Sequence, residues 1–168
     1  MLSVGVLAGV LVGVALALAW LVYVSTRPPM PLLGREPGTQ VFRDLEAYPE
    51  DEAIPGIAVL RLDGAPFFAT AEALEDRVRG LADDSDRRAL VLDLAPVTFI
   101  DSQRSAKLNE IHELTEAAGV ALRLAAVKPG VRAVLEADGV VDRIGADHIH
   151  GNVHRAVEAQ LAELDVRV

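Results

Sequence analysis

Apolar side chains follow several rhythms along this chain. From Leu2 to Val24 they run almost without interruption, LSVGVLAGVLVGVALALAWLVYV, with nothing more polar than serine among them. At about 1.5 Å of rise per residue, such a run crosses a hydrocarbon core about 30 Å thick, so residues 1–26 are expected to form a transmembrane helix. Farther on the apolar runs are short. Ile57 to Leu62 and Ala89 to Ala95 read as strands, the first closed by the turn signal Asp63-Gly64 and the second by Pro96. Ala121 to Val127 is a third strand. Between and after them the apolar positions recur at helical spacing. Ala73, Leu74, Val78 and Leu81 make one stripe in a helix from Thr70, a candidate cap, to Asp83. Leu108, Ile111 and Leu114 make another, in a helix that Asp101 or Ser102 caps and Gly119 closes. A short helix from Gly130 to Ala137, ended by Gly139, and a last one from Asn152 to Leu164 complete the pattern. Val41-Phe42-Arg43 suggests a short edge strand. This alternation predicts an α/β fold, a sheet with parallel crossovers covered by helices.

The flanks of the apolar run suggest which way it points. Trp20 and Tyr23 sit at its C-terminal end, where amphipathic rings favour the headgroup layer. Arg27 follows, then Pro28 and Pro29, which stop the helix. Residues 27–38, rich in Pro and Gly, read as a stiff juxtamembrane linker, leaving 39–168 as the folded domain. Arg35 and Arg43 add positive charge on that side, while the other side has only the terminal amine. The bias places the C-terminal domain in the cytoplasm, on a single-pass protein of the cell (inner) membrane. A secretory signal peptide is the competing reading, given Ala17-Leu18-Ala19, but the basic n-region is missing and the run is long. Gly5, Gly9 and Gly13 recur every fourth residue, with Ala17 continuing the row, and offer a face on which another helix backbone can pack.

Charge sharpens this division. All 16 Lys and Arg and all 25 Asp and Glu lie beyond Thr26, so the net charge of −9 belongs to the C-terminal domain. An acidic domain is repelled by nucleic-acid phosphates, and nucleic acid is not an expected partner. The absence of cysteine excludes disulfides, thiolate catalysis and cysteine-ligated zinc.

Candidate chemistry is sparse. The loop Asp101, Ser102, Gln103, Arg104, Ser105 opens a helix whose first N–H groups favour negative charge, so Arg104 in the first turn is out of place unless an anion sits there. That makes the loop a candidate contact for a nucleotide or a cytosolic regulatory protein, against the plainer reading of a cap and a solvated arginine. His148, His150 and His154 cluster before the last helix, but no carboxylate at a suitable spacing completes a metal site, and solvated histidines are expected. Asp93, between Leu92 and Leu94, is expected to face an open side of the sheet near the Asp101 loop. With no nucleophile motif, phosphate loop or metal box beside them, Asp93 and Asp101 do not indicate an enzyme, and neither a catalytic residue nor a cofactor is assigned.

Several motifs together carry a family resemblance. Arg27-Pro28, Leu33-Gly34-Arg35, Pro37-Gly38-Thr39, Phe42-Arg43-Asp44 and Pro55-Gly56 resemble the connector between the last membrane helix of a SulP-type inorganic anion transporter and its STAS domain. Gly64-Ala65-Pro66-Phe67-Phe68-Ala69-Thr70-Ala71-Glu72 resembles the strand-to-helix corner of that domain. Val91-Leu92-Asp93-Leu94 and Val97-Thr98-Phe99-Ile100-Asp101 resemble its signature strand and loop. The resemblance implies a STAS-like sheet of about four strands plus a short edge strand, behind one transmembrane helix. It implies a cytosolic regulatory and protein-interaction module, with nucleotide binding as a family theme. Other transmembrane helices, in a transporter bundle or a homodimer, are the implied membrane partners.

Two departures bear on function. In anti-sigma-factor antagonists of this superfamily, a kinase phosphorylates the second hydroxyl of the loop; here Gln103 holds that position and Arg104 the following glycine's. A single apolar helix cannot enclose an anion pathway. The reading is therefore a C-terminal fragment of a sulfate or other inorganic anion transporter, not transport-competent alone; the alternative is a membrane-tethered signalling module resembling an anti-sigma-factor antagonist.

Overall fold

In the computed structural model, which describes residues 2–25, 29–63 and 71–166, the segment Ala89–Asp93 becomes the strand β4, with all five residues buried. (Here β1 and β2 are Leu33–Arg35 and Phe42–Asp44, and β3 is Ile57–Arg61.) The burial of β4 has two causes: it is paired on both edges and covered on both faces. The sheet order is β3-β4-β5-β6, with β5 at Ala121–Ala125 and β6 at Ile149–His150. All three pairings are parallel, with Ile57 opposite Ala89 and Ala89 opposite Ala121.

Parallel neighbours require crossovers, and the helical stripes supply them. After the apolar helix α1 (Leu2–Ser25), α2 (Ala71–Ala82) links β3 to β4 and α3 (Ser102–Ala117) links β4 to β5. Then α4 (Pro129–Ala137) and α5 (Val140–Ile144) lead to β6, and α6 (Val153–Val166) closes the chain. One sheet face presents Leu60, Leu90, Leu92, Leu122 and Leu124 to Leu74, Leu108, Ile111 and Leu135 of the crossover helices. The opposite face presents Ile57, Val59, Ala89 and Val91 to Val153, Ala156 and Val157 of α6. A single large buried aliphatic side chain stabilises by about 1.5–3 kcal/mol, so both interfaces are substantial.

The structure departs from the sequence-based reading in places. Phe42–Asp44 is not an edge strand of the main sheet: it pairs antiparallel with Leu33–Arg35 in a separate two-stranded sheet. Leu33 and Phe42 pack into the α6-side core, so this hairpin acts as a cover. The edge of β3 is instead met by residues 31 and 32, which lie between α1 and β1, through an antiparallel bridge between Leu32 and Leu60 and an Arg61 N–H bond to the Pro31 carbonyl at 3.1 Å. Hydrogen-bonded structure thus begins within the stretch read as linker. Gly139, with φ 72°, does end α4 but also opens α5, whose five residues are too few to show a period. The Gly64–Ala69 corner, the Thr70 cap and Arg27 lie outside the described residues.

Along α1, Gly5–Tyr23 has a mean hydropathy of 2.5 and no buried side chain. Trp20 and Tyr23 stack at 5.9 Å between ring centroids near its end.

Candidate functional site

The loop between β4 and α3 is held at both ends. A turn closed by the Val97 N–H on the Leu94 carbonyl (3.0 Å) follows β4, and Ile100 is buried as an anchor. Asp101 is the cap: its backbone is extended and its Oδ1 accepts from the Arg104 N–H at 3.0 Å, which decides between the two candidates. Ser102 Oγ donates to Asp138 Oδ1 at 3.3 Å, tying the loop to the end of α4. Gln103 is exposed, and Ser105 is wholly buried, its hydroxyl without a hydrogen-bond partner among the described residues.

Arg104 is not a solvated arginine. Its Nε lies 3.8 Å from Asp101 Oδ2, its guanidinium stands 5.9 Å from the Phe99 ring centroid, and the side chain is only 14% exposed. The carboxylate beside it offsets the clash with the helix dipole that the sequence pattern suggests. Phe99, at 67% exposed, is the apolar projection of the loop.

Asp93 does not lie on the Asp101 side of the sheet. It shares the sheet face of Ala89 and Val91, beneath α6 and opposite to α3, and is 1% exposed. The reason is register: residue parity along β4 assigns 89, 91 and 93 to one face, and both faces are covered. Its Oδ2 accepts from Arg61 Nε at 2.8 Å and its Oδ1 from the Ala95 N–H at 3.0 Å. Asp63 nearby has its carboxyl pushed up, first by burial and also by Asp93 and Asp44, against the pull of Arg61.

The histidines are not the solvated group that their spacing suggested. His148 Nδ1 donates to the Leu122 carbonyl at 3.1 Å, and His150 Nε2 accepts from Arg123 Nη1 at 3.0 Å. His154, on α6, has its Nδ1 buried and without a partner. Burial first, then the Arg123 charge, pushes the His150 imidazole below its ordinary range. Among the described residues, no three His, Cys, Asp or Glu side chains converge as a metal site would require.

Arg123 escaped the sequence reading altogether. It stands in β5 between Leu122 and Leu124, is 1% exposed, and donates from Nε to Gln160 Oε1 at 2.8 Å and from Nη2 to Glu163. A charge flanked by leucines in a strand was the available signal. Its partners, 37 and 40 residues away on α6, left none.

The STAS domain family model matches residues 48–156. The probable sulfate transporter 4.2 of Arabidopsis thaliana is 32% identical over 165 residues, covering 92% of this chain and 24% of the transporter. The SulP transporter STAS domain from Vibrio cholerae is 27% identical, with TM-score 0.61 over 71% of this chain and 93% of that one. The murine Slc26a9 anion transporter in its inward-facing state shares the fold at TM-score 0.73 and 23% identity, over 92% of this chain and 26% of its own. The chain spans about a quarter of the length of the curated relatives it matches.

Proposed function

The chain belongs to the STAS domain family, and from that footing we propose that it is the C-terminal part of a SulP-type sulfate or other inorganic anion transporter. In this reading α1 is a membrane helix of that assembly and residues 39–168 form its cytosolic regulatory and interaction module. One observation carries it: similarity to sulfate transporters extends over 92% of the chain, past the STAS domain at 48–156, across the connector and into the apolar helix. A soluble phosphoswitch has no use for that helix, and Gln103 offers no hydroxyl to a kinase. The module does no catalysis; it receives partners at the Asp101 to Ser105 loop. The anion pathway comes from further membrane helices, which α1 meets through Gly5, Gly9 and Gly13.

A cytoplasmic C-terminal domain belongs to the same proposal. Folding tempers the charge argument for it, since Arg35 lies 3.8 Å from Glu158 and Arg43 is ringed by Asp51, Glu36 and Glu50. Orientation is set on the unfolded chain as it inserts, when these arginines still act as free charges.

The test is biochemical. Tag the C-terminus in the native host, isolate membranes and identify what carries or accompanies the tag. Recovery from membranes within, or stably bound to, a protein with many transmembrane helices supports the proposal, as does labelled sulfate uptake that changes when residues 39–168 are deleted. A tagged chain recovered alone in the soluble fraction overturns it.

A further inference from the structure

A cavity of about 270 Å³ opens where β3, β4 and β5 end. Arg61 and Asp93 of the strand ends line it together with Gln40 and Phe42 of the connector hairpin and with Asn152 and His154 at the start of α6. A single water needs only about 15 Å³ of such space, so this cavity admits a small solute with some of its hydration.

Which solute fits follows from the hydrogen-bonding groups left over. Three side-chain oxygens of the lining residues are already engaged: Asp93 Oδ2 by Arg61 Nε, Asp93 Oδ1 by the Ala95 N–H, and Asn152 Oδ1 by the Arg155 N–H at 2.9 Å; of the lining carboxylates and amides only Gln40 keeps an acceptor to spare. The donors are not engaged. Both terminal amino nitrogens of Arg61, and the side-chain amide nitrogens of Asn152 and Gln40, have no hydrogen-bond partner among the described residues. The bond from Asp93 fixes the guanidinium plane by its Nε edge and leaves the other two nitrogens to bind. A planar fork of this kind matches two oxygens of a carboxylate, sulfate or phosphate.

We propose that this cavity binds a small oxyanion, with Arg61 as its anchor and the Asn152 and Gln40 amides completing the shell. Gln40 and Phe42 of the connector hairpin belong to the lining, so occupancy ties the segment leading to α1 more firmly to the ends of the sheet.

Titration calorimetry on the full chain in lipid nanodiscs tests this, with sodium sulfate, sodium phosphate and sodium chloride as titrants at matched ionic strength. The expected result is saturable binding of sulfate or phosphate, with none for chloride; the better of the two identifies the oxyanion. Two variants locate the site. Combining Arg61→Gln with Asp93→Asn keeps a neutral bonded pair and removes the anchor charge. Ala95→Leu fills the cavity from an exposed position. Each should weaken binding ten-fold or more, the cost of losing a charge-assisted contact or the space for it, while thermal melts confirm folding. Undiminished affinity in either folded variant, equal binding of chloride, or no saturable binding by either oxyanion overturns the proposal. The readout needs only this chain, so failure here leaves the transporter assignment standing.

Discussion

Arg61 Nε donates to Asp93 Oδ2 at 2.8 Å, and the two residues are also register partners at the ends of β3 and β4. The pair is lopsided: the Asp93 side chain is 1% exposed and that of Arg61 30%. Breaking a buried pair costs most when the charge left behind cannot reach water. Arg61→Met should therefore destabilise by about 2–3 kcal/mol, and Asp93→Asn, which leaves a hydratable cation and keeps the acceptor for Ala95, by about 1 kcal/mol. Denaturant melts of both variants check the order. Equal costs would mean that Arg61 shields Asp93 from nothing.

Acidification should loosen the pairing of β5 with β6. His150 Nε2 accepts from Arg123, so the bond exists only while the imidazole is neutral. Burial is the largest cause that lowers its pKa; Arg123 and His148 lower it further, and Asp147 and Glu163 oppose the shift without reversing it. A depressed histidine pKa means that the unfolded chain takes up the proton first. Stability is thus retained above about pH 6.5, the unfolded value, and falls as pH drops below it toward the folded one. His150→Gln, which can still accept from Arg123, should flatten the melting temperature between about pH 5.5 and 7. An unchanged slope would assign the acid sensitivity to other groups.

The Asp101 loop should respond to its cap and not to its serine. Asp101→Ala removes the acceptor of the Arg104 N–H and should cost about 1 kcal/mol, or about 2–4 °C in melting temperature. Ser102→Ala, losing an exposed 3.3 Å bond to Asp138, should stay within about 0.5 kcal/mol. Intact-mass measurement of protein from growing cells should show no phosphate on Ser102, because Asp138 and Asp101 would repel it. A phosphorylated fraction above trace level would restore the switch mechanism.

Gly9→Ile should weaken helix association in a membrane two-hybrid assay. A Cβ built on Gly9 meets nothing within 4 Å in this chain, so the substitution disturbs no internal contact. Any loss of signal then reports a neighbouring helix held at a distance by the branched side chain. A signal equal to wild type places the contact on another face.

Local pattern was enough for much of this molecule. The uninterrupted run of α1 and the aliphatic blocks of β3, β4 and β5 identify themselves, because a membrane-length span and a buried strand each need a composition that few other structures tolerate. The stripes of α2 and α3 do so as well, and Asp101 was among two candidate caps because the capping bond reaches only three residues. What the pattern could not decide was which side of a doubly covered strand each residue faces. Where both faces are buried, apolar alternation disappears, so neither the placement of Asp93 under α6 nor its pairing with Arg61 left a trace. Arg123 shows the same limit: its burial depends on Gln160 and Glu163 arriving from α6, and on His150 from β6. The hairpin of Leu33–Arg35 with Phe42–Asp44 had to await packing too, since three-residue strands carry no period and form only because Leu33 and Phe42 find the α6-side core. Short-range chemistry is written along the chain; contacts between distant segments exist only once the sheet has brought those segments together.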